Sequence, residues 1–292
     1  MTNELTPDIG MAKAFLDSLY AGFPGEQIEF RLLKGKRGEH YPIRHLEPLP
    51  ISDSAFERLV AFNRDGYNIY FGVATRNMDW QPIYIPAVWI DVDFKDLKPR
   101  LISPLALVIL RLRSDSVWPS IIVESGHGLH AYWKITAGPD DHRRVKDINK
   151  RLAIRFGGDK VADVARILRL PGFYNVKDTA NPQLCQVSDD VNWGILSVLE
   201  LDELEAWLDD VAVPMLDEKL ENLIKNGAPI GKRSEADFAV TIGMLRRGFS
   251  EDEVREAFQS GKIGDKAREK GIYEDDYLTR TLDAAQRRLR EE

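Results

Sequence analysis

Residues 86–94 read PAVWIDVDF. Val88, Ile90, Val92 and Phe94 alternate with Trp89, Asp91 and Asp93, the period-two pattern of a strand with one wholly apolar face. Asp91 and Asp93 share the other face, about 6.5–7 Å apart along the strand. Downstream, Ser103 offers a helix N-cap and Pro104 a first helical position. Leu105, Val108, Ile109 and Leu112 follow at i, i+3, i+4 and i+7, a buried helix face. PSIIVE (119–124), the turn sequence SGHG (125–128) and LHAYWKI (129–135) read as a hairpin. Asp140 to Phe156 reads as a helix stopped by Gly157 and Gly158, and ARILRLPG (165–172) as a last strand or extended segment. The order from Pro86 to Gly172 is therefore β-α-β-β-α-β, an RRM/ferredoxin-like core in an α+β protein. It predicts one antiparallel sheet with the first strand central, two helices on one face and the other face open. Upstream, Ile69, Phe71 and Val73 repeat the strand period.

The chain has 292 residues, enough for one large domain or two, with 43% hydrophobic and 30% charged residues, an ordinary globular composition. Its longest strongly apolar run, Leu105 to Leu110, stops at Arg111 and is far short of the ~20 residues of a membrane span. The N-terminus lacks a basic region followed by an apolar stretch, so it does not read as a secretory signal. Cys185, the only cysteine, excludes intrachain disulfides and multi-cysteine zinc sites and fits a reducing cytoplasm. Net charge is −7, a poor prior for coating nucleic acid, but two stretches go the other way. Arg31–His45 holds five basic residues and one acidic, and Asp140–Arg155 six basic and three acidic; for either alone, a solvated surface face is the simpler reading. The composition shift between Asp210 and Lys232, ending in NGAPIGK, sets expected domains at 1–212 and 213–292. In the second, Phe238, Ile242 and Leu245 have helical spacing. Ser250 and Glu253 form a capping box before Val254, Ala257 and Phe258. Leu278, Thr281, Leu282, Ala285 and Leu289 make a last amphipathic helix. This is a small all-α bundle.

Three blocks carry chemistry. Two carboxylates side by side repel unless a cation lies between them, so Asp91 and Asp93 suit a hard ion such as magnesium; an acidic outer face is the bland alternative. In SGHGLHAYW the glycines let the backbone approach an anion, and His130 shares a face with Tyr132 and Lys134; the bland alternative is a plain turn with a surface histidine. In GGDKVADVARILRLPGFYNVK (157–177), Asp159 and Asp163 are both candidates for a third carboxylate, Arg166, Arg169 and Lys177 are cations, and Asn175 is a neutral hydrogen-bonding group. Each signal is weak alone. Gathered on one sheet surface, they are what two-metal nucleotidyl transfer needs.

These blocks resemble, in order, the three motifs of the archaeo-eukaryotic primase superfamily, in the form found in primase-polymerases of phages, plasmids and mobile elements. The resemblance runs from about residue 25, through FNRDGYNIYFGVATR (62–76), to about 210. It implies a DNA primase-polymerase that joins nucleoside triphosphates on single-stranded DNA. Asp91, Asp93 and Asp159 would be catalytic ligands of two divalent ions (Mg2+ or Mn2+), with Asp163 as the fallback third carboxylate. Ser125 and His130 would contact the triphosphate, Arg169 would sit near its phosphates, Asn175 and Lys177 would line the same site, and His127 and Arg76 are further candidates. Template, primer and possibly a replicative helicase would be partners, and the helical bundle would engage template or link to that helicase. Unlike some relatives, the chain has no zinc-binding cysteine cluster.

Two other readings compete. A non-catalytic RRM-like module would stack bases on exposed sheet aromatics, but the key strand here shows two aspartates. A rolling-circle nickase would want two histidines separated by one residue and a tyrosine nucleophile; His127 and His130 are separated by two.

Overall fold

The structure, a computed structural model, describes residues 5–35, 41–96, 103–159, 162–188, 197–211 and 216–291. Residues 36–40 of the first basic stretch and 212–215 of the expected domain boundary lie outside them. The chain forms two compact units, Met1–Val211 and Ala212–Glu292.

The first unit runs α1 (Ile9–Leu19), β1 (Gln27–Leu33), β2 (Ile43–Pro48), α2 (Asp53–Arg64), β3 (Asn68–Gly72), β4 (Ile85–Asp93), α3 (Pro104–Arg113), β5 (Ile121–Glu124), β6 (Gly128–Ala137), α4 (His142–Phe156), β7 (Ile167–Arg169), β8 (Tyr174–Asn175), β9 (Gln183–Leu184), β10 (Gln186–Val187) and α5 (Leu201–Trp207). Local chemistry sets several ends. Ser103 Oγ accepts from Ala106 N–H at 3.1 Å and starts α3. Gly157, at φ +74°, ends α4 in the left-handed conformation that favours glycine.

The α+β order β-α-β-β-α-β spans β4 to β7, but the strands divide between two antiparallel sheets, β2-β1-β3-β7 and β10-β5-β6-β4. This corrects two expectations. The last strand pairs with β3, with Tyr70 opposite Arg169, and not with β4. In turn, β4 closes one end of its sheet's pairing order and is not central. The reason is the segment before residue 85: β1 to β3 form a sheet whose β3 edge offers backbone partners to a three-residue strand.

The face of β4 that carries the aspartates is also only partly open. Trp89 and its cross-strand partner Tyr132 are buried, and Phe15 of α1 packs edge-on against both Tyr132 (5.7 Å) and Phe71 of β3 (5.3 Å). Lys134, expected beside the hairpin site, donates from Nζ to the Ser18 carbonyl at 2.6 Å; it anchors α1 instead. The opposite face packs on helices: Trp133 stacks on Phe156 of α4 at 5.7 Å, and Asn149 Oδ1 accepts from the Trp89 N–H at 2.9 Å.

Asp115, just after α3, holds that side of the unit together. It accepts from Arg155 Nε of α4 at 2.6 Å and Trp207 Nε1 of α5 at 2.7 Å. Burial raises its carboxyl, but these donors outweigh burial and hold it below the ordinary carboxylate range. A depressed folded pKa gives stabilisation that is complete above the unfolded value near ~4 and is lost as pH falls through the folded value. Asp115→Asn is expected to cost about 1–2 kcal/mol at neutral pH and to flatten the acid limb of the stability curve. Urea melts across the acid range check this; an unaltered acid limb would show that the carboxylate is not what pins α5.

The second unit contains α6 (Glu218–Asn226), α7 (Arg233–Arg246), α8 (Glu251–Ser260), the short α9 (Asp265–Arg268) and α10 (Glu274–Arg290). Ser250 and Glu253 form the capping box of α8. The buried stripe of α7 is Ala236, Val240 and Met244, whereas the expected Phe238, Ile242 and Leu245 are half-buried. A polar pair rotates the helix: Asp237 and Thr241 are buried with the stripe, and Asp237 Oδ2 accepts from Tyr277 Oη of α10 at 2.5 Å.

Candidate active site

Strand β4 ends on Asp91 and Asp93, which lie opposite His130 and Gly128 of β6. The approach is close. A Cβ on Gly128 would sit 2.4 Å from the Val92 carbonyl oxygen, so only glycine lets the hairpin lie against the second aspartate. Gly126, at φ +90°, makes the turn. His127 is exposed and its carbonyl accepts from Phe94 N–H at 3.0 Å, tying the turn to the end of β4.

The third carboxylate arrives through the glycine pair. Asp159 N–H donates to the Asp91 carbonyl at 2.6 Å, and Gly158 lies so near that a Cβ there would be 3.0 Å from the same oxygen. Arg166 Nη2 spans the two side chains, 3.3 Å from Asp91 and 3.9 Å from Asp159. Burial, then the like charge of Asp91, raises the Asp159 carboxyl. Asp163 is exposed and serves its own loop, accepting from Ala165 N–H at 3.0 Å. Asp159, not Asp163, is therefore the carboxylate the fold brings beside Asp91.

Asp93 is held by Lys95, whose Nζ lies at 2.7 Å and whose backbone N–H donates at 3.0 Å. Burial raises its carboxyl, but Lys95 prevails and sets it below the ordinary value. Among the described residues no three His, Cys, Asp or Glu side chains stand close enough to grip one ion; Arg166 and Lys95 occupy the carboxylates.

His130 is buried beneath this cluster. Its Nε2 is 3.6 Å from Asp91 Oδ1 and its Nδ1 is 3.4 Å from Tyr132 Oη. Burial lowers its pKa to about 4, so the ring is neutral near pH 7. Ser125 is buried at the hairpin start, with its N–H on the Gly128 carbonyl at 2.9 Å. Asn175, also buried, clasps the hairpin: Nδ2 donates to the Ser125 carbonyl at 3.1 Å and lies 3.1 Å from His127 Nδ1. Its Oδ1 accepts from Lys177 N–H at 3.1 Å, and the exposed Lys177 side chain acts electrostatically on Asp93. Arg169 lies over the Tyr70 ring at 5.0 Å, and its buried Nε has no hydrogen-bond partner among the described residues.

One candidate needs revision. Arg76 is buried with its guanidinium spent, on Glu29 Oε2 (3.2 Å) and the Ala74 and Ala165 carbonyls (3.1 and 2.9 Å). It balances a buried carboxylate and does not face the site. Sequence reasoning also passed over Lys95 and Tyr70. Both carried a signal: Lys95 is two residues beyond Asp93, and Tyr70 is the odd residue in the Ile69, Phe71, Val73 alternation.

Residues 107–190 match the family model of the RepB DNA-primase N-terminal domain, and residues 231–285 that of the RepB DNA-primase C-terminal helical domain. Among solved structures the chain is similar to the AEP domain of the cyanophage S-2L primase-polymerase, at 14% identity over 70% of this chain and 100% of that one, with a TM-score of 0.53. It is also similar to primase RepB', at 18% identity over 94% of each chain (TM-score 0.44), and to the catalytic domain of primase RepB' in complex with initiator DNA, at 16% identity over 69% and 93% (TM-score 0.47). None of the curated proteins matches. At these identities the first structural likeness speaks for the fold.

Proposed function

We propose that the chain, which matches the models of both RepB primase domains over parts of its length and shares the fold of a primase-polymerase AEP domain, is a template-directed primase-polymerase of a plasmid or phage replication system. It transfers a nucleotidyl group from a nucleoside triphosphate to a 3′-hydroxyl on a single-stranded DNA template and releases pyrophosphate. The observation that carries this reading is the approach of Asp159 to Asp91 through their backbone bond, with Asp93 two residues along the same strand and Arg169 Nε, which has no hydrogen-bond partner among the described residues, nearby.

The donor set fits the divalent ions that such chemistry uses. All three groups are hard carboxylate oxygens, the class that Mg2+ and Mn2+ take, and burial, followed by the like charge of Asp91, already raises Asp159. Asp91, Asp93 and Asp159 would hold these ions, which when bound supply charge stabilisation at the attacking and leaving oxygens. The remaining residues act on the substrate's phosphates. Arg169 meets negative charge with an N–H that has no partner among the described residues, and Lys177 adds a cation at the rim. His130, neutral near pH 7, can donate a hydrogen bond without adding charge; in the tautomer that accepts from Tyr132 at Nδ1, the proton is on Nε2. Ser125 lies at the glycine turn, where the backbone comes close to a ligand. Asn175 positions that turn and is not itself a reacting group. The helical second unit would engage template at initiation.

The test is incorporation of labelled nucleotide on single-stranded template with Mg2+ or Mn2+, primed and unprimed, using ribonucleotides and deoxyribonucleotides in turn. Incorporation that depends on template and divalent ion is expected. A folded chain that incorporates neither nucleotide, even from a primer, would leave the proposal without support.

A further inference from the structure

The β2-β1-β3-β7 sheet turns one face to the core and carries charge on the other. Its register sets Arg44, Arg31, Tyr70 and Arg169 in one cross-strand row: Arg31 lies opposite both Arg44 and Tyr70, and Tyr70 opposite Arg169. Three strand spacings make the row about 14 Å long. One end reaches the candidate active site, where Tyr70 feels the charge of Asp91 and His130 that of Arg169. Trp80 lies at the other end, with the Arg44 guanidinium 4.2 Å from its ring centroid. The loop holding Trp80 is built tightly: Asn77 Oδ1 accepts from Asp79 and Gln81 N–H (3.0 and 2.9 Å), and Trp80 takes φ +65°, a costly backbone for a bulky residue.

The row holds more positive charge than the fold requires. Like charges directly opposite on neighbouring strands destabilise a sheet, yet Arg31 faces Arg44. Glu29, on the same face, accepts from both, from Arg31 Nη2 at 2.7 Å and Arg44 Nε at 2.8 Å. But Glu29 also has the fully buried Arg76 at 3.2 Å, and one buried cation already balances one carboxylate. Arg31 and Arg44 are surplus, and their side chains are 28% and 38% exposed. The second basic stretch differs. Its Arg144 is spent on Glu205 and Asp202, Arg151 on the Leu208 carbonyl, and Arg155 on Asp115 and Asp210.

We propose that this row seats a single DNA strand on its way to the carboxylates, with Arg31 and Arg44 on backbone phosphates and the rings of Tyr70 and Trp80 beside its bases. Cations interleaved with aromatic rings hold single strands without reading their sequence. The inference rests on the nucleotidyl-transfer reading and adds the path of the strand.

The test is fluorescence anisotropy of the full chain with a 5′-labelled oligodeoxynucleotide, without divalent ion, over a range of KCl. Arg31→Gln with Arg44→Gln should weaken binding about tenfold or more. It should also lower the slope of log K against log salt by about 1.4, at ~0.7 per phosphate of a single strand. Trp80→Leu should weaken binding about tenfold with the slope unchanged. Arg143→Gln, on the exposed side of α4, should change neither. The double lysine variant, Arg31→Lys with Arg44→Lys, keeps the charge and should keep the slope, which separates lost contacts from a damaged fold. Binding of a labelled nucleoside triphosphate should be untouched by the glutamine pair; an equal loss there would assign the arginines to free triphosphate and overturn the proposal. Unchanged affinity and slope would overturn it too, as would a wild type that does not bind the oligodeoxynucleotide. No synthesis enters the measurement. A chain that binds DNA through the row but incorporates no nucleotide would uphold the row and remove the nucleotidyl-transfer reading.

Discussion

Exchanging Asp91 and Asp93 for asparagine is expected to reduce nucleotide incorporation by about three orders of magnitude or more while leaving the melting temperature level or slightly higher. Asparagine keeps the size of each side chain and most of its hydrogen-bonding reach. What it removes is charge, and charge here does little for the fold. Asp93 pairs with the exposed Lys95, and Asp91 is 3.3 Å from Arg166; partly exposed pairs of this kind stabilise by about 0–1 kcal/mol. Removing two of three neighbouring carboxylates also relieves the repulsion that adds to burial in raising Asp159. A structural role would show as lost stability, and a catalytic one as lost synthesis in a sound fold. The same assay separates the two candidates for the third carboxylate. Asp159→Asn should lower incorporation about a hundredfold, whereas Asp163→Asn, which alters only a loop turn, should change it less than about twofold. Equal effects from both would mean that the loop after α4 adopts another arrangement during turnover.

Periodicity made most of the β4-to-β6 region legible. An alternating strand, a glycine hairpin and a helix with a serine cap and a proline start are local codes, and each is read within a few residues. The glycine pair was legible as a helix stop, but not as the device that carries Asp159 to the Asp91 carbonyl, because that hydrogen bond joins residues far apart in sequence. The partner of β7 was hidden for a related reason. Three residues carry too little pattern to choose between the open edges of β3 and β4. Charged residues misled in a consistent way. Arg76 and Lys134 read as cations of the site, yet one meets buried Glu29 and the other a helix-end carbonyl. Burial of a cation is decided by a partner that the local sequence does not reveal. Asp237 is the acidic counterpart, and hydrophobic counting set the α7 stripe a step around the helix because it gave no weight to a buried carboxylate held by Tyr277.

Alanine at Gly128 is expected to damage both fold and activity. The added methyl would lie 2.4 Å from the Val92 carbonyl oxygen and 3.3 Å from Ser125 Oγ. Backbone of the neighbouring strand is the obstacle, so no side chain can swing aside to relieve it. Relief requires β6 to lift from β4 where Gly128 faces Asp93, with the Phe94-to-His127 backbone bond beside it. Overpacking against side chains costs about 1–3 kcal/mol; against a carbonyl in a paired strand the upper end or beyond is expected, about 3 kcal/mol, or roughly 6–12 °C in melting temperature for a unit of this size. Gly22→Ala, where nothing among the described residues lies within 4 Å, should be near neutral and serves as the control. Activity should fall further than stability alone explains, because displacement of the hairpin by about 1 Å shifts Ser125 and His130 relative to the carboxylates, and misplacement on that scale costs about a hundredfold. Incorporation measured well below the variant's melting point isolates this second effect. If Gly128→Ala melted and incorporated nucleotide like the wild type, the hairpin could not lie against Asp93 during turnover, and the phosphate-binding role of Ser125 and His130 would lose its geometric basis.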